Sequence, residues 1–342
     1  MRIESLRLRV LLGGALLCVA GASTAFADSN ETNGTFSLQL QNDRIAATDR
    51  HYTHGTRLSW VSDSETDGPE WVRDALELLY PLAEVRGGRV GFALGQSIYT
   101  PEDTDAVSLV VEDRPYAGWL YGAVSLHAEA THQLEWGKLG TLDLVELSLG
   151  IVGPQAFGED VQNNFHDLIN VSRSNGWNNQ LKNEPAVALF FERKWRPEAV
   201  RVGSFEADVL PHIGGSLGNV FTLGNMGAIF RFGRGLDGDY GPPQIRPTLS
   251  GLPSVNNDED FGWYLFAGGE GRAVLRNIFL DGNTFADSHN IAKEPFVGSL
   301  QVGFSVSYKR VRLVFSHVYL TKEFKVQRRA DRYGTVTLST RF

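Results

Sequence analysis

Apolar and polar residues alternate with a period of two over most of the chain, and this alternation predicts strands with one apolar face. Between Thr35 and Gln41 the even positions are apolar and the odd positions polar, and similar patterns recur at 142–151, 300–308 and, with one slip, 313–320. After the N-terminal segment no apolar run approaches the ~18 residues of a membrane-spanning helix. Such strands suit a membrane barrel, whose side chains face lipid and lumen in turn, and they also suit a soluble β-sandwich.

The C-terminal segment favours the barrel. Val336, Leu338 and Phe342 share one parity, and Thr, Ser and Arg take the other. A final amphipathic strand that ends on an aromatic residue is typical of outer-membrane barrels, in which that residue lies in the aromatic girdle at the membrane interface. The predicted fold is therefore an all-β transmembrane antiparallel β-barrel in the outer membrane of a Gram-negative bacterium.

The alternation divides the chain into about twelve strands, an even number that lets both termini lie on the periplasmic side. We expect them at residues 34–42, 53–62, 88–98, 117–131, 142–152, 184–196, 203–217, 220–233, 262–274, 296–308, 311–320 and 332–342. Because the odd-numbered strands then run outward, the extracellular rim is expected to contain residues 43–52, 99–116, 153–183, 275–295 and 321–331. The stretch 234–261 is rich in Gly, Asp, Pro and Asn and is expected to be a long periplasmic connection.

The N-terminal residues have the pattern of a secretory signal. Arg2, Arg7 and Arg9 precede an apolar run over 10–20, and an A-x-A site ends at Ala27. Because the apolar run is shorter than the ~20 residues of a spanning helix, residues 1–27 are predicted to be a cleaved signal peptide and residues 28–342 the barrel. The single cysteine, Cys18, lies within the signal, which excludes disulfides and thiol catalysis in the mature chain. The formal net charge of -8 gives no indication of nucleic-acid binding, and no obligate protein partner is evident.

Polar residues gather where the first two strands meet the rim. Asn42 and Asp43 end the first strand, and Thr53 begins the second. An up-and-down hairpin places the three side chains at the same height. Carboxylate, amide and hydroxyl oxygens at one level form a candidate hard-cation site, with Ca²⁺ as the natural ion. The alternative is a solvated hairpin with an Asx-turn.

The third rim segment contains a predicted short helix at 158–169. Its spacing places Gln162, Phe165, His166 and Ile169 on one face. An imidazole held there, at the boundary with lipid, can take a proton from water near neutral pH, although a lone helical histidine is also a common structural residue. No Gly-x-Ser-x-Gly element is present, so a serine hydrolase is poorly supported.

At these residues the sequence resembles a known family, the outer-membrane lipid A 3′-O-deacylases (LpxR-type). The resemblance covers six pieces in order: Asn42-Asp43; Asp49-Arg50-x-Tyr52-Thr53-x-Gly55; Gly95-Gln96-x-Ile98-Tyr99-Thr100-Pro101; Asp113-Arg114-Pro115-Tyr116-Ala117-Gly118; Gly153-Pro154 with Gly158, Gln162 and His166; and Gly176-Trp177-x-x-Gln180-Leu181-x-x-Glu184-Pro185. Together the six pieces are specific, although none of them is decisive alone.

The resemblance implies a twelve-stranded barrel that hydrolyses the 3′-acyloxyacyl ester of lipid A, the membrane anchor of lipopolysaccharide, with Ca²⁺ as cofactor. Carried over by position, His166 is expected to be the general base that activates water, and Asp43 to ligate Ca²⁺. Asn42 and Gln162 are expected to orient the substrate, the oxyanion or the base, and Thr53 to help form the site.

Two departures from the family pattern bear on these roles. Family members can carry an acidic residue about six positions after the histidine, where this chain has Ser172, so that Asp167 or Glu184 would have to substitute. Members can also place basic residues after the Tyr-Thr-Pro turn, where lipid A phosphates would lie. Here the loop from Glu102 to Glu112 contains no Lys or Arg, so Arg50, Arg114 or Arg173 would have to bind these phosphates. Two other hypotheses therefore stay open: an esterase of another outer-leaflet lipid, such as a phospholipase, and a non-catalytic channel or structural barrel.

Overall fold

A computed structural model describes residues 34–46, 51–63, 88–245 and 260–342. Its strands are β1 (Thr35–Asn42), β2 (His51–Val61), β3 (Gly88–Thr100), β4 (Ala117–Leu134), β5 (Gly137–Val152), β6 (Glu184–Pro197), β7 (Val200–Val202), β8 (Phe205–Gly218), β9 (Phe221–Arg234), β10 (Phe261–Asn277), β11 (Phe296–Tyr308), β12 (Val311–Leu320) and β13 (Asp331–Arg341). The described parts of the loops contain two α-helices, α1 (Gly158–Ile169) and α2 (Ile278–Asp281). Within the described ranges neither helix is long and apolar enough to cross a membrane. The predicted signal peptide, 1–27, lies outside the described residues and stays a prediction.

The strands form one closed antiparallel wall. Neighbours pair in order from β1 to β6 and from β8 to β13, and the wall closes where β1 pairs with β13 and β6 pairs with β8. The three-residue β7 pairs with β8 beside this wall, which therefore has 12 strands. The predicted twelve-stranded barrel is confirmed, and predicted segments such as 184–196 and 296–308 fall on β6 and β11.

Burial follows the predicted alternation. In β1 the odd-numbered residues from Thr35 to Gln41 are buried and face the lumen. On the outside of β11, Leu300 and Val302 are 63% and 55% exposed. Because a bilayer accepts apolar side chains and a lumen accepts polar ones, this is the arrangement that a membrane barrel requires.

The lumen is filled with paired polar groups and aromatic rings. Arg57 lies 2.7 Å from Glu146 across the interior, a pairing that offsets the cost of burying both charges. An aromatic layer crosses the lumen just below the rim and consists of Tyr52, Tyr99, Trp119, Tyr121, Phe221, Phe279 and Tyr333. Phe279 of α2 completes this layer from above, with its ring centroid 3.9 Å from that of Tyr99.

The connection after β9 differs from its sequence-based prediction. Stretch 234–261 was expected to be periplasmic, but most of residues 235–245 are buried inside the barrel, where Leu236, Tyr240 and Ile245 are at most 2% exposed. Gly235, at φ 72, adopts the left-handed conformation where the chain turns after β9. We call residues 235–245 the lumen segment. A Gly-, Asp- and Pro-rich composition predicts irregular backbone, but it does not decide whether water or a polar lumen surrounds that backbone.

Candidate active site

Helix α1 packs on the outer face of the wall, over β3 and β4. Gln96 shares the parity of Leu94, which is 59% exposed, and its Nε2 donates to the Ala156 carbonyl at 2.6 Å. An ideal Cβ at Gly158 would lie 3.2 Å from the Cα of Gly118. The two glycines therefore let the start of the helix touch the strand. A site beneath α1 lies beside the membrane rather than in the lumen.

The predicted helix at 158–169 is present with those bounds, and the predicted face is the one that packs. Gln162 and His166 are buried and Phe165 and Ile169 are half-buried, whereas Leu168 is 74% exposed. Acidic residues in its first turn stabilise the helix, because their negative charges lie at the positive end of the helix dipole.

His166 is oriented by a main-chain oxygen. Its imidazole is 2% exposed, and Nδ1 lies 2.6 Å from the Ser172 carbonyl oxygen. A carbonyl oxygen can only accept, so Nδ1 carries the proton in this bond and Nε2 keeps its lone pair. The backbone of Ser172 thus supplies an acceptor at the position where the resemblance led us to look for an acidic side chain.

Gln162 is held by a tryptophan from the next part of the loop. The indole Nε1 of Trp177 donates to Gln162 Oε1 at 3.0 Å, which fixes the orientation of the side-chain amide. The Gln162 Nε2 is buried and has no hydrogen-bond partner among the described residues. Two N–H groups beside His166 are therefore available to an acceptor that enters the site.

The rim ends of β1 and β2 place the other three predicted residues. Asn42 Oδ1 accepts from the Arg44 backbone N–H at 2.9 Å. This is the Asx-turn that was the alternative to a cation site. The next residue, Asp43, is 1% exposed. Between β2 and β3 the register shifts at Thr53, whose Oγ1 lies 2.8 Å from Thr100 Oγ1. Bulges of this kind re-aim side chains and are common beside active sites.

One ring contact joins the strand ends to the helix. In the β1–β2 register Asn42 lies opposite His54, and the His54 ring is 6.2 Å from the ring of Phe165, the neighbour of His166. Asn42 and His166 therefore belong to one region at the outer face of the rim. Within it, Thr53, Gln162 and His166 each hydrogen-bond to a residue outside the predicted set.

Charged residues near α1 have partners that limit their roles. Asp167 is exposed, and its hydrogen bonds with Arg173, one of them 3.0 Å long, lower the pKa of its carboxyl group. Glu184 is buried and accepts from Asn219 at 2.9 Å. Neither carboxylate therefore takes the place that the Ser172 carbonyl occupies beside His166.

The three arginines considered for phosphate binding differ in access. Arg114 is 1% exposed, lies 3.0 Å from Glu323 and stacks over the Tyr99 ring. Arg173 has 61% of its side chain exposed, so an incoming phosphate can reach its guanidinium group. Arg50 lies outside the described residues.

A buried histidine, His51, connects three segments of the rim. His51 Nδ1 lies 2.8 Å from Asp331 Oδ2 at the start of β13, and Nε2 lies 3.4 Å from Asp113 Oδ1 in the loop before β4. Burial alone would raise the pKa of the Asp113 carboxyl, but hydrogen bonding to His51, the charge of His51 and two backbone N–H groups together lower it. This cluster fixes the start of β2 next to Thr53.

The described residues bring together no group of three or more His, Cys, Asp or Glu side chains that could hold a metal ion. Among the described residues, a cation at Asp43 would therefore depend on neutral oxygens for part of its ligand set. Asn42, which precedes the buried Asp43, and Thr53 at the start of β2 carry oxygens of this kind. Ca²⁺ accepts mixed sets of carboxylate, amide, hydroxyl and water oxygens. The donor types fit Ca²⁺.

Comparison with solved structures finds outer-membrane barrels that match over most of this chain. LpxR from Salmonella typhimurium is 20% identical, with a TM-score of 0.72 over 90% of this chain and 100% of that chain. The β domain of the Bordetella autotransporter BrkA (9% identity, TM-score 0.44, 91% of this chain and 100% of that chain) and the translocator domain of NalP from Neisseria meningitidis (13% identity, TM-score 0.34, 99% and 98%) are too dissimilar to support an argument. No curated protein matches the sequence. The family model described as outer membrane protein LpxR matches residues 12–342, and the chain therefore belongs to the LpxR family of outer membrane proteins.

Proposed function

We propose that this protein hydrolyses the 3′-acyloxyacyl ester of lipid A in the outer leaflet, with His166 as general base and Ca²⁺ as cofactor. The observation that carries the proposal is the placement of His166. It is buried under α1 on the outer side of the barrel, with Nδ1 tied to the Ser172 carbonyl and Nε2 left as the proton acceptor. A lipid ester can reach this position laterally from the membrane, whereas a soluble substrate would need a path from the lumen or from the rim.

The chemistry of the step follows from these groups. His166 Nε2 takes a proton from water as the water oxygen bonds to the ester carbonyl carbon. The bond between the carbonyl carbon and the sugar oxygen then breaks. The protonated imidazole returns its proton to this oxygen, which leaves as the sugar hydroxyl. General-base catalysis of this kind contributes about 10²–10⁴-fold in rate.

Gln162 and the β1–β2 residues assist at the carbonyl oxygen. The buried Nε2 of Gln162 can donate to the substrate carbonyl or to the oxyanion that forms from it. Asp43 would hold Ca²⁺, with Asn42 and Thr53 supplying neutral oxygens or orienting the substrate. Ca²⁺ bound there supplies a positive charge that polarises the ester carbonyl and stabilises the oxyanion. Arg173 would break its hydrogen bonds with Asp167 and bind a lipid A phosphate instead.

Mass spectrometry of lipid A from cells that express the protein tests the proposal. We expect loss of the 3′-acyloxyacyl group with the wild type, no loss after Ca²⁺ chelation, and about 10²–10⁴-fold slower loss with His166→Ala. His132→Ala is the matched control, because His132 is exposed at the far end of β4 and should behave as wild type. Unchanged lipid A with a folded wild-type barrel would contradict the proposal.

An esterase of another outer-leaflet lipid would use the same base, so only the product separates it from a lipid A deacylase. Free fatty acid and lysophospholipid in the same extracts would indicate a phospholipase. The channel hypothesis is disfavoured by the aromatic layer and by the lumen segment, which fill the described interior of the barrel.

A further inference from the structure

The lumen segment is anchored by charge near its start. Asp239 is 6% exposed and lies 2.7 Å from Arg231 of β9 and 2.7 Å from Arg312 of β12. The Tyr264 hydroxyl also donates to Asp239 Oδ2 at 3.0 Å. Asp208 also accepts from Arg231 Nε at 2.9 Å. Two carboxylates thus compensate two buried guanidinium groups, and Asp239 bridges them. The start of the segment is a fixed part of the barrel interior.

From this anchor the segment rises towards the rim. The Tyr240 hydroxyl donates to the Thr141 carbonyl oxygen at 3.2 Å, near the end of β5 that lies away from the rim. Four residues later, Gln244 bonds to Gln41, the last lumen-facing residue of β1 before the rim. The segment therefore spans most of the height of β1 inside the lumen.

Gln244 makes three hydrogen bonds to the wall. Its Oε1 accepts from Gln41 Nε2 at 3.1 Å, and its Nε2 donates to Gln301 Oε1 at 3.0 Å and to Ser316 Oγ at 3.1 Å. These bonds connect β1 with β11 and β12. All four side chains lie in the interior, where a polar group without a partner is costly.

Gln41 connects Gln244 to the candidate site. It immediately precedes Asn42 and Asp43, and its Oε1 accepts from the Tyr52 hydroxyl at 2.8 Å. Tyr52 immediately precedes Thr53. The next residue of the lumen segment, Ile245, packs against the same place, since a Cβ on Gly55 would lie 3.2 Å from Ile245 Cδ1 and 2.1 Å from Tyr52 Oη.

We propose that Gln244 is a positioning residue, which acts from inside the barrel through Gln41 and Tyr52 to hold the rim ends of β1 and β2 in the geometry that hydrolysis needs. The role in hydrolysis rests on the proposed function. The mechanical part of the proposal, support of the two strand ends by the lumen segment, does not depend on which ester is cleaved. The lumen segment is then a support for a site on the opposite face of the wall, besides filling the lumen.

The test compares Gln244→Leu, Gln41→Leu and the double variant, each reconstituted as the full barrel in lipid A-containing vesicles. We expect each single variant to lower kcat about tenfold while KM stays within about twofold, because orientation is lost and binding is not. Since both residues act through one hydrogen bond, the double variant should be no slower than the worse single variant. Tyr240→Phe, which removes the bond to Thr141 from the same segment, is the matched control and should retain wild-type kcat.

Hydrogen exchange of the β1 and β2 rim amides, followed by mass spectrometry, gives a readout without turnover. Faster exchange at residues 40–46 and 51–56 in Gln244→Leu, with Tyr240→Phe unchanged, would support the proposal. Wild-type kcat and wild-type rim exchange in Gln244→Leu would overturn the proposal. Equal losses of kcat in Gln244→Leu and Tyr240→Phe would also overturn it, because Gln244 would then only fill space in the lumen. If the wild type cleaves no lipid A, the proposed function fails, and the rim exchange alone decides whether Gln244 supports the strand ends.

Discussion

The contact between Trp177 and Gln162 makes the sharpest prediction about the site. Trp177→Phe removes the indole N–H that Gln162 Oε1 accepts at 3.0 Å and keeps an aromatic ring against Tyr116 and Ile98. The buried Oε1 then lacks its donor, at a cost of about 1–3 kcal/mol in the free energy of unfolding. The Gln162 amide is no longer fixed, so its Nε2 no longer points at one place.

The effect on the reaction can be bounded. Complete loss of one oxyanion donor costs about 10²–10³-fold in kcat, and a donor that still visits the correct orientation costs less. We therefore expect Trp177→Phe to lower kcat by roughly 10- to 100-fold, and Gln162→Ala to lower it at least as much. The assay is release of the 3′-acyl chain from lipid A vesicles by the refolded barrel, with urea titration as the measure of stability.

The matched control is Trp136→Phe, because Trp136 is 64% exposed in the turn between β4 and β5, at the end of the barrel away from the site. It should change neither kcat nor the urea midpoint appreciably. If Trp177→Phe keeps kcat within about twofold of wild type while Gln162→Ala abolishes activity, the orientation of Gln162 does not depend on Trp177. The reasoning from that hydrogen bond would then be refuted.

Two further predictions concern the strand ends. Gly55→Ala places a Cβ 2.1 Å from Tyr52 Oη, so we expect a loss of about 1–3 kcal/mol in the free energy of unfolding by urea. Gly224→Ala is the control, because no described atom beyond its chain neighbours lies within 4 Å of the ideal Cβ. Equal midpoints for both variants would contradict the packing argument. The pKa of Asp113 is lowered in the folded barrel, so its contribution to stability is complete above the ordinary value of 3.8 and is lost as the pH falls through the folded pKa. Proteolysis of residues 101–116 should therefore accelerate on acidification below that value, and Asp113→Asn should remove the pH dependence. An unaltered acid response in that variant would assign the transition to another group.

Alternation and helical spacing were sufficient for most of the architecture. The predicted strand at 117–131 is β4, three residues longer at its far end, and the predicted helix at 158–169 has the observed bounds. Both patterns are local, since a strand in a bilayer must alternate and a helix packed on a wall must present one face. The candidate residues Gln162 and His166 could be placed on one face for the same reason.

What lies inside the barrel and what orients the histidine were decided by tertiary structure. Ser172 acts through its main-chain carbonyl, which every residue carries, so side-chain identity gave no signal for the contact with His166. Trp177 lay in a recognised motif, but its donor role depends on a loop that brings it back to α1. Gln244 lies in a stretch whose composition suggested a periplasmic loop. Only the closed barrel shows that Gln301 and Ser316 face it in the lumen and form hydrogen bonds with it. The sequence by itself determined which elements form and which faces they bury, because those follow from local periodicity. Contacts between distant segments required the fold, because they depend on where closure of the barrel brings each backbone and side-chain group.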